Sequence, residues 1–406
     1  MDAGDTAWLL ASAALVMLMT PAVGFFYGGL VRKKNVLSTI FYSFLILALI
    51  SIQWILWGYS LAFGPDHWHI IGGLEWAGLR GVGLTPNPDY AATVPHQAYM
   101  VFQMMFAVIT PALITGAFAE RKRFKSFLIF TLLWSTLVYD PIAHWVWGTG
   151  GWLHQMGALD FAGGTVVHIS SGVSALVAAL MLGKRIGLGD EAMEPHDATM
   201  TILGAALLWF GWFGFNAGSA LTSGALATSA FVNTNTGAAM AALTWMTLSW
   251  IFDHRPSAIG GAAGAVAGLV AITPASGFVT PLGSVLIGLG AGAVCYGSVA
   301  LKNRLGFDDA LDVWAVHGMG GTWGAIATGL FATVAINAAG ANGLFYGNPG
   351  QLGVQLVATL ASWAYAAVMT FVLLKLIDWT MGLRVPEHEE LAGLDVTQHG
   401  ELAYQV

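Results

Sequence analysis

The 406-residue chain is 56% hydrophobic and only 9% charged, with a mean hydropathy of +0.69. A soluble domain carries about 25% charged residues, so composition excludes water as the main solvent, and a net charge of −7 excludes the basic face that nucleic acid requires. The single cysteine, Cys295, excludes an internal disulfide and a cysteine metal cluster and reads as a small buried apolar residue.

The chain starts Met1-Asp2-Ala3-Gly4-Asp5, acidic where a signal peptide is basic, and its first apolar run is long enough to remain as a membrane span. A transmembrane helix takes about 20 mostly apolar residues. Runs of that kind fall at 7–31, 38–63, 98–119, 126–147, 161–183, 199–219, 231–252, 257–273, 280–301, 311–334 and 353–381. The prediction is an all-α integral membrane protein with eleven transmembrane helices. The least marked spans are 231–252 and 257–273, separated only by Asp253-His254-Arg255-Pro256.

Basic residues follow the odd-numbered spans. Arg32, Lys33 and Lys34 follow span one; Arg121, Lys122, Arg123 and Lys125 follow span three; Lys184 and Arg185 follow span five. Arg255 follows span seven, Lys302 and Arg304 follow span nine, and Lys375 and Arg384 mark the end of span eleven. Of the 15 basic residues only Arg80 falls on the other side. Cytoplasmic loops carry the excess of Lys and Arg, so the expected location is the cell (inner or plasma) membrane, with the N-terminus outside and the C-terminus cytoplasmic. Residues 1–382 are expected to form the transmembrane domain, and the polar stretch 383–406 a cytoplasmic tail. In span eight Gly260, Gly264 and Gly268 repeat at four-residue spacing, which lets helix backbones approach closely in a membrane.

Two stretches carry the chemistry: Asp160-Phe161-Ala162-Gly163-Gly164-Thr165-Val166-Val167-His168 and Asp308-Asp309-Ala310-Leu311-Asp312-Val313-Trp314-Ala315-Val316-His317-Gly318. An ionisable group buried in a membrane is costly and usually serves a function. Asp160 is a favoured capping residue. With Asp160 at one face and Asp309 at the other, His168 and His317 each lie eight residues in, about 12 Å along a helix. In a hydrocarbon core of about 30 Å both approach the middle. Five spans per half make the second half inverted, so the expected fold is two inverted five-helix repeats, about 7–183 and 199–334, plus a long eleventh helix, 353–381. Inverted repeats place their site near the midplane, and the two histidines are expected to meet there within one hydrogen bond.

Two neutral imidazoles in contact share a proton and still offer polar groups to a passing solute. Such a pair suits a small hydrogen-bonding molecule or a proton relay. The competing reading is a haem or metal site. Apart from Asp160 and the Asp312 region, neither histidine has a carboxylate at ligand spacing, so no metal or cofactor is expected. Aromatic residues cluster nearby in sequence: Phe102 and Phe106 one turn apart in span three, Trp145 and Trp147 at the end of span four, and Trp212, Phe215 and Ser219 on one stripe of span six. Aromatic faces attract ammonium-like cations; an interfacial aromatic belt is the alternative, and it suits Trp145 best.

At these residues the sequence resembles the ammonium transporter family (Amt/Mep/Rh), its Amt branch in particular. The matching stretches are Phe25-Phe26-Tyr27-Gly28-Gly29-Leu30-Val31-Arg32, Phe102–Phe106 with Gly116–Arg121, Pro141–Gly148, Asp160–His168, Gly211–Ser219, Asp312–Gly318 and Gly393–Val396. The resemblance implies uptake of ammonium or ammonia by a homotrimer with a pore in each subunit, and no enzyme activity. It implies recruitment at an outer mouth by Phe106, Trp147 and Ser219 with Asp160 in support. Phe106 and Phe215 would close the pore, Phe102 and Trp212 would lie beside it, and His168 and His317 would line it. Deprotonation at the mouth would let ammonia cross, with the proton free to move separately. The resemblance further implies a PII-type (GlnK-like) signal protein on the cytoplasmic face, with the tail residues Leu383, Arg384, Gly393, Leu394 and Asp395 as its contacts. An ammonium sensor of the same fold is the nearest rival. A long extra cytoplasmic domain would favour it, and this tail is short. An Rh-like gas channel fits less well, because Trp147 and Ser219 point to Amt.

Overall fold

The structure is a computed structural model that describes residues 1–404. The last two residues of the expected tail 383–406, Gln405 and Val406, lie outside the described residues. Eleven long helical segments make up the body: α1 (Ala3–Leu30), α2 (Lys33–Phe63), α3 (His96–Phe118), α4 (124–147), α5 (Gly164–Leu182), α6 (Ala198–Gly218), α7 (Ala225–Phe252), α8 (Ala258–Ile272), α9 (Pro281–Leu305), α10 (314–331) and α11 (Pro349–Met381). Eight of the described helices are long and apolar enough to cross a membrane. The other three are α7, α8 and α10, which include the two spans least marked in sequence.

Local sequence fixes many of the ends. Asp2 caps α1 by accepting the Asp5 N–H at 2.8 Å, and Asp197 caps α6 by accepting that of Met200 at 2.9 Å. Ser257 does the same for α8, and Thr280 with Pro281 at the first helical position starts α9. Side-chain oxygens at these positions satisfy N–H groups that no helix can satisfy itself. Gly306, in the left-handed region at φ 71°, ends α9, as glycine commonly does.

Small residues set the helix crossings. A Cβ on Gly29 would lie 2.3 Å from Thr201 Oγ1, and one on Gly204 would lie 2.3 Å from the Phe26 nitrogen. α1 and α6, the first helices of the two halves, therefore run in close contact. α5 and α10, the last of each half, cross at Gly172, where an added Cβ would lie 2.0 Å from the Gly318 nitrogen. The expected glycine stripe works the same way: Gly264 and Gly268 seat α8 on Ala241 and Gly237 of α7.

The two halves repeat one local design in opposite senses. Asp160 accepts the N–H of Thr165, five residues on, and Asp309 accepts that of Trp314, also five residues on. Each histidine follows three residues later, inside a π-helical segment, Gly164–Ile169 or Trp314–Met319. π-turns within α-helices recur at functional sites.

On the face that carries the basic loops, buried charges join the halves. The Arg185 guanidinium holds the Asp308 carboxylate through two hydrogen bonds at 2.9 and 3.0 Å, its backbone N–H adds a third at 2.8 Å, and Arg121 reaches the Asp308 carbonyl at 2.6 Å. Burial works against the Asp308 charge, but these two guanidiniums outweigh it and keep the carboxyl below its ordinary range. The tail closes over the same face. Residues 383–385 run antiparallel to 121–123, and Arg384 pairs with Glu390. Trp145 is no belt residue: it is buried, donates to the Ile70 carbonyl at 2.8 Å and sits against Tyr365. Loop 64–95, with a short hairpin at Asp66–His67 and Ile71–Gly72, covers it.

Candidate functional site

The site begins as a cavity of about 300 Å³ on the face opposite the basic loops. Phe106, Trp147, Ser219 and Asp160 all line it, as do Tyr99 and Gln103. The Asp160 carboxylate accepts the N–H groups of Gly163, Gly164 and Thr165, each at 2.7 Å, and the Thr165 hydroxyl. Asp160 stands four residues before the helix begins and gathers its unpaired donors, with Gly163 in the left-handed region at φ 117° making the turn. Its own carbonyl accepts Trp147 Nε1 at 2.9 Å. One residue thus fixes both the start of α5 and the ring above it. Ser219 gives its proton to the Phe215 carbonyl at 2.9 Å, which leaves its oxygen lone pairs free for a donor in the cavity.

Below the mouth two rings meet. Phe106 of α3 and Phe215 of α6 stack with centroids 4.2 Å apart, and Trp147 stands edge-on to Phe106 at 5.9 Å. Phe102 packs on Phe106 at 5.0 Å and fills the space that Gly218 leaves open. Phe106 and Phe215 are 1% and 0% exposed, so the stack shuts the mouth off from what lies beneath it.

Beneath the stack lie the two histidines. His168 Nδ1 and His317 Nδ1 are 3.2 Å apart, with the ring planes inclined by 26°. A hydrogen bond between two Nδ1 atoms requires one ring to donate and the other to accept. If both rings are neutral, one Nε2 is then an acceptor and the other a donor. His168 Nε2 has no partner within the protein. Trp212 stacks on His168 at 5.4 Å and is itself held by Thr273 through Nε1 at 2.8 Å. Past the pair a smaller cavity of about 70 Å³, lined by Tyr27, Phe26, Trp245, Asp312 and His317, leads towards the basic face. Sequence alone assigns no role to Tyr27 or Asp312; the signals that mark them are the Phe25–Arg32 stretch and the acid between Asp309 and His317.

The structure therefore brings Phe102, Phe106, Trp147, Asp160, His168, Trp212, Phe215, Ser219 and His317 into one column. It places the five tail residues elsewhere. Leu383, Gly393, Leu394 and Asp395 are buried against the rest of the chain, and Arg384 is partly exposed. Leu394 N–H donates to Asn35, and Asp395 accepts the N–H groups of Leu37 and Ser38 at 3.0 and 2.7 Å. Gly393 takes φ 104° and lies so close to Lys34 that a Cβ would come within 2.6 Å of its side chain. Among the described residues no group of three or more His, Cys, Asp or Glu side chains is arranged to hold a metal ion.

The profile of the Ammonium Transporter Family matches residues 7–404. The chain is 56% identical to an ammonium transporter of Bacillus subtilis over 406 residues, covering 100% of this chain and 99% of that one. It is 50% identical to the ammonium transporter Amt1 of Archaeoglobus fulgidus over 404 residues, covering 100% of both. Among solved structures, Mep2 of Saccharomyces cerevisiae superposes with a TM-score of 0.90 at 39% identity, covering 96% of this chain and 89% of that one. A sensor Amt protein gives 0.90 at 29% identity over 98% of both chains.

Proposed function

The chain belongs to the ammonium transporter family, and from that membership and the geometry of the column we propose that it carries ammonium across a membrane as ammonia. It is a multi-pass membrane protein. The mouth cavity recruits the cation. Phe106 and Trp147 offer ring faces, which attract ammonium, and Ser219 offers a free acceptor. Losing water is costly for the bare ion, and these groups replace part of its shell. Potassium is held less well there, because it has no N–H to donate to the serine and cannot shed a proton.

The Phe106–Phe215 stack admits a small neutral molecule when the rings move and opposes a charged one. Ammonium gives its proton to solvent water in the mouth cavity, and ammonia passes to the His168–His317 pair, where one imidazole donates to it and the other accepts from it. The proton travels separately through the pair. The observation that carries this reading is the 3.2 Å Nδ1–Nδ1 contact directly beneath a closed aromatic gate. The excess of Lys and Arg on one face orients the mouth outward and the tail into the cytoplasm. We place the chain in a homotrimer in the cell membrane, with a PII-type partner on the basic face. There the docked tail serves as a platform, because most of its five named residues are turned inward.

The test is current in proteoliposomes after an ammonium jump. Wild-type protein is expected to give an ammonium-dependent current. His168→Ala is expected to lose the current or its selectivity, and Phe106→Ala to lower uptake. A wild type with neither current nor uptake overturns the transport reading, and a His168→Ala variant with unchanged current and selectivity overturns the relay.

A further inference from the structure

Gln103 lies in the apolar middle of α3, is 8% exposed and lines the mouth cavity. Its Nε2 donates to the Tyr99 hydroxyl at 3.3 Å. Its Oε1 has no hydrogen-bond partner in the protein. Leaving a buried acceptor bare is unfavourable, so an unpaired amide oxygen beside a cavity marks a place for a donor.

The level of that oxygen follows from helix geometry. Gln103 is three residues, about 4.5 Å, from Phe106 towards the mouth, and Ser219 is four residues, about 6 Å, from Phe215 in the same direction. The Phe106 and Phe215 rings stack, so Gln103 and Ser219 stand at nearly one height, just outside the gate, on helices α3 and α6. The serine has already given its proton to Phe215. Two acceptors, each without a donor of its own, thus belong to side chains that line the cavity beside Phe106 and Trp147.

We propose that Gln103 is a substrate-positioning residue of the mouth, its Oε1 accepting an N–H of ammonium while Ser219 accepts another. The inference rests on the transport reading above. Two directional acceptors and two ring faces match a tetrahedral cation with four N–H donors. They suit methylammonium less well, since a methyl group replaces one donor.

The test measures uptake of ammonium and methylammonium in proteoliposomes by wild type, Gln103→Met, Gln103→Glu and Ser219→Ala. Gln103→Met keeps the length of the side chain and removes the acceptor. It is expected to raise the half-saturation concentration for ammonium about tenfold, the scale of one hydrogen bond to a charged group, with the maximal rate little changed. It is also expected to narrow the preference for ammonium over methylammonium, which a merely structural role would not move. Gln103→Glu keeps an oxygen and adds charge, so half-saturation falls and release slows. If Gln103→Met does not give folded protein, Gln103→Glu decides: a lower half-saturation supports the proposal and an unchanged one overturns it. Gln103→Met with wild-type half-saturation and preference, beside a Ser219→Ala variant that is impaired, overturns the proposal and leaves the transport reading standing. Failure of the wild type to transport overturns both.

Discussion

At the scale of single residues, Asp160 and Lys122 show how differently two buried charges are handled. Asp160 is surrounded by donors and passes its order on to Trp147 through its carbonyl. Asp160→Asn puts an amide N–H₂ among N–H groups that need acceptors. Losing charge-assisted hydrogen bonds costs roughly 1.5–3 kcal/mol each, so most uptake is expected to disappear while folded protein is still recovered, as methylammonium accumulation will show. Lys122 has no such company. Its Nζ finds no hydrogen-bond partner and lies 4.7 and 4.8 Å from the Phe118 and Phe130 ring centres. Burial, with Arg121 beside it, pushes the amine down from 10.5 to about 7, and the ring faces return only part of that cost. Between about pH 7 and 10.5 the unfolded chain holds a proton that the folded chain lacks, so stability rises with pH across that window, and the burden is full below it. Lys122→Met is expected to raise the Tm in detergent at pH 7, and the gain to shrink as the pH approaches 10. A gain that does not vary with pH would mean that Lys122 is charged throughout.

At the scale of elements, the spans and the histidine pair were legible because both obey short rules. Apolar runs marked the helices to within a few residues, except at the start of α7, where 231 was expected and Ala225 is observed. The equal spacing from Asp160 to His168 and from Asp309 to His317 was enough to suggest that the rings meet. The π-helical segments were not legible, since a five-residue hydrogen-bond step leaves no mark in apolar sequence. Nor was the burial of Trp145, which depends on a loop arriving from residues 64–95. The place of Gln103 was half legible: a lone amide in an apolar span is a signal, but its unpaired oxygen is a matter of geometry. The tail hid most. The N-terminal cap of α2 comes from Asp395, whose sequence separation from Leu37 is 358 residues, and no local pattern reports that. A cap is worth about 1 kcal/mol. Asp395→Ala is therefore expected to loosen the tail, seen as faster proteolytic cleavage after Met381, with only a small drop in Tm.

At the scale of the molecule, the halves are joined by charge on the basic face and by apolar crossings elsewhere. Asp308→Asn takes the carboxylate away from the buried Arg185 guanidinium, while Arg121 keeps its backbone carbonyls. Breaking such a pair costs roughly 3–5 kcal/mol, so a marked fall in Tm and in yield is expected, larger than for Asp395→Ala. Because its folded pKa is lowered, the stability that Asp308 contributes is held at neutral pH and lost as the pH falls through that value. The inverted repeat has a consequence of another kind. The proton between His168 and His317 lies between two nitrogens of the same name, on rings delivered by the same local design from opposite sides. Its two positions differ in what lies beside each ring: Trp212 stacks on His168, and His317 lines the smaller cavity. The approaches to the pair are also unequal, about 300 Å³ on one side and about 70 Å³ on the other, so a repeated design at the centre opens onto two different surroundings.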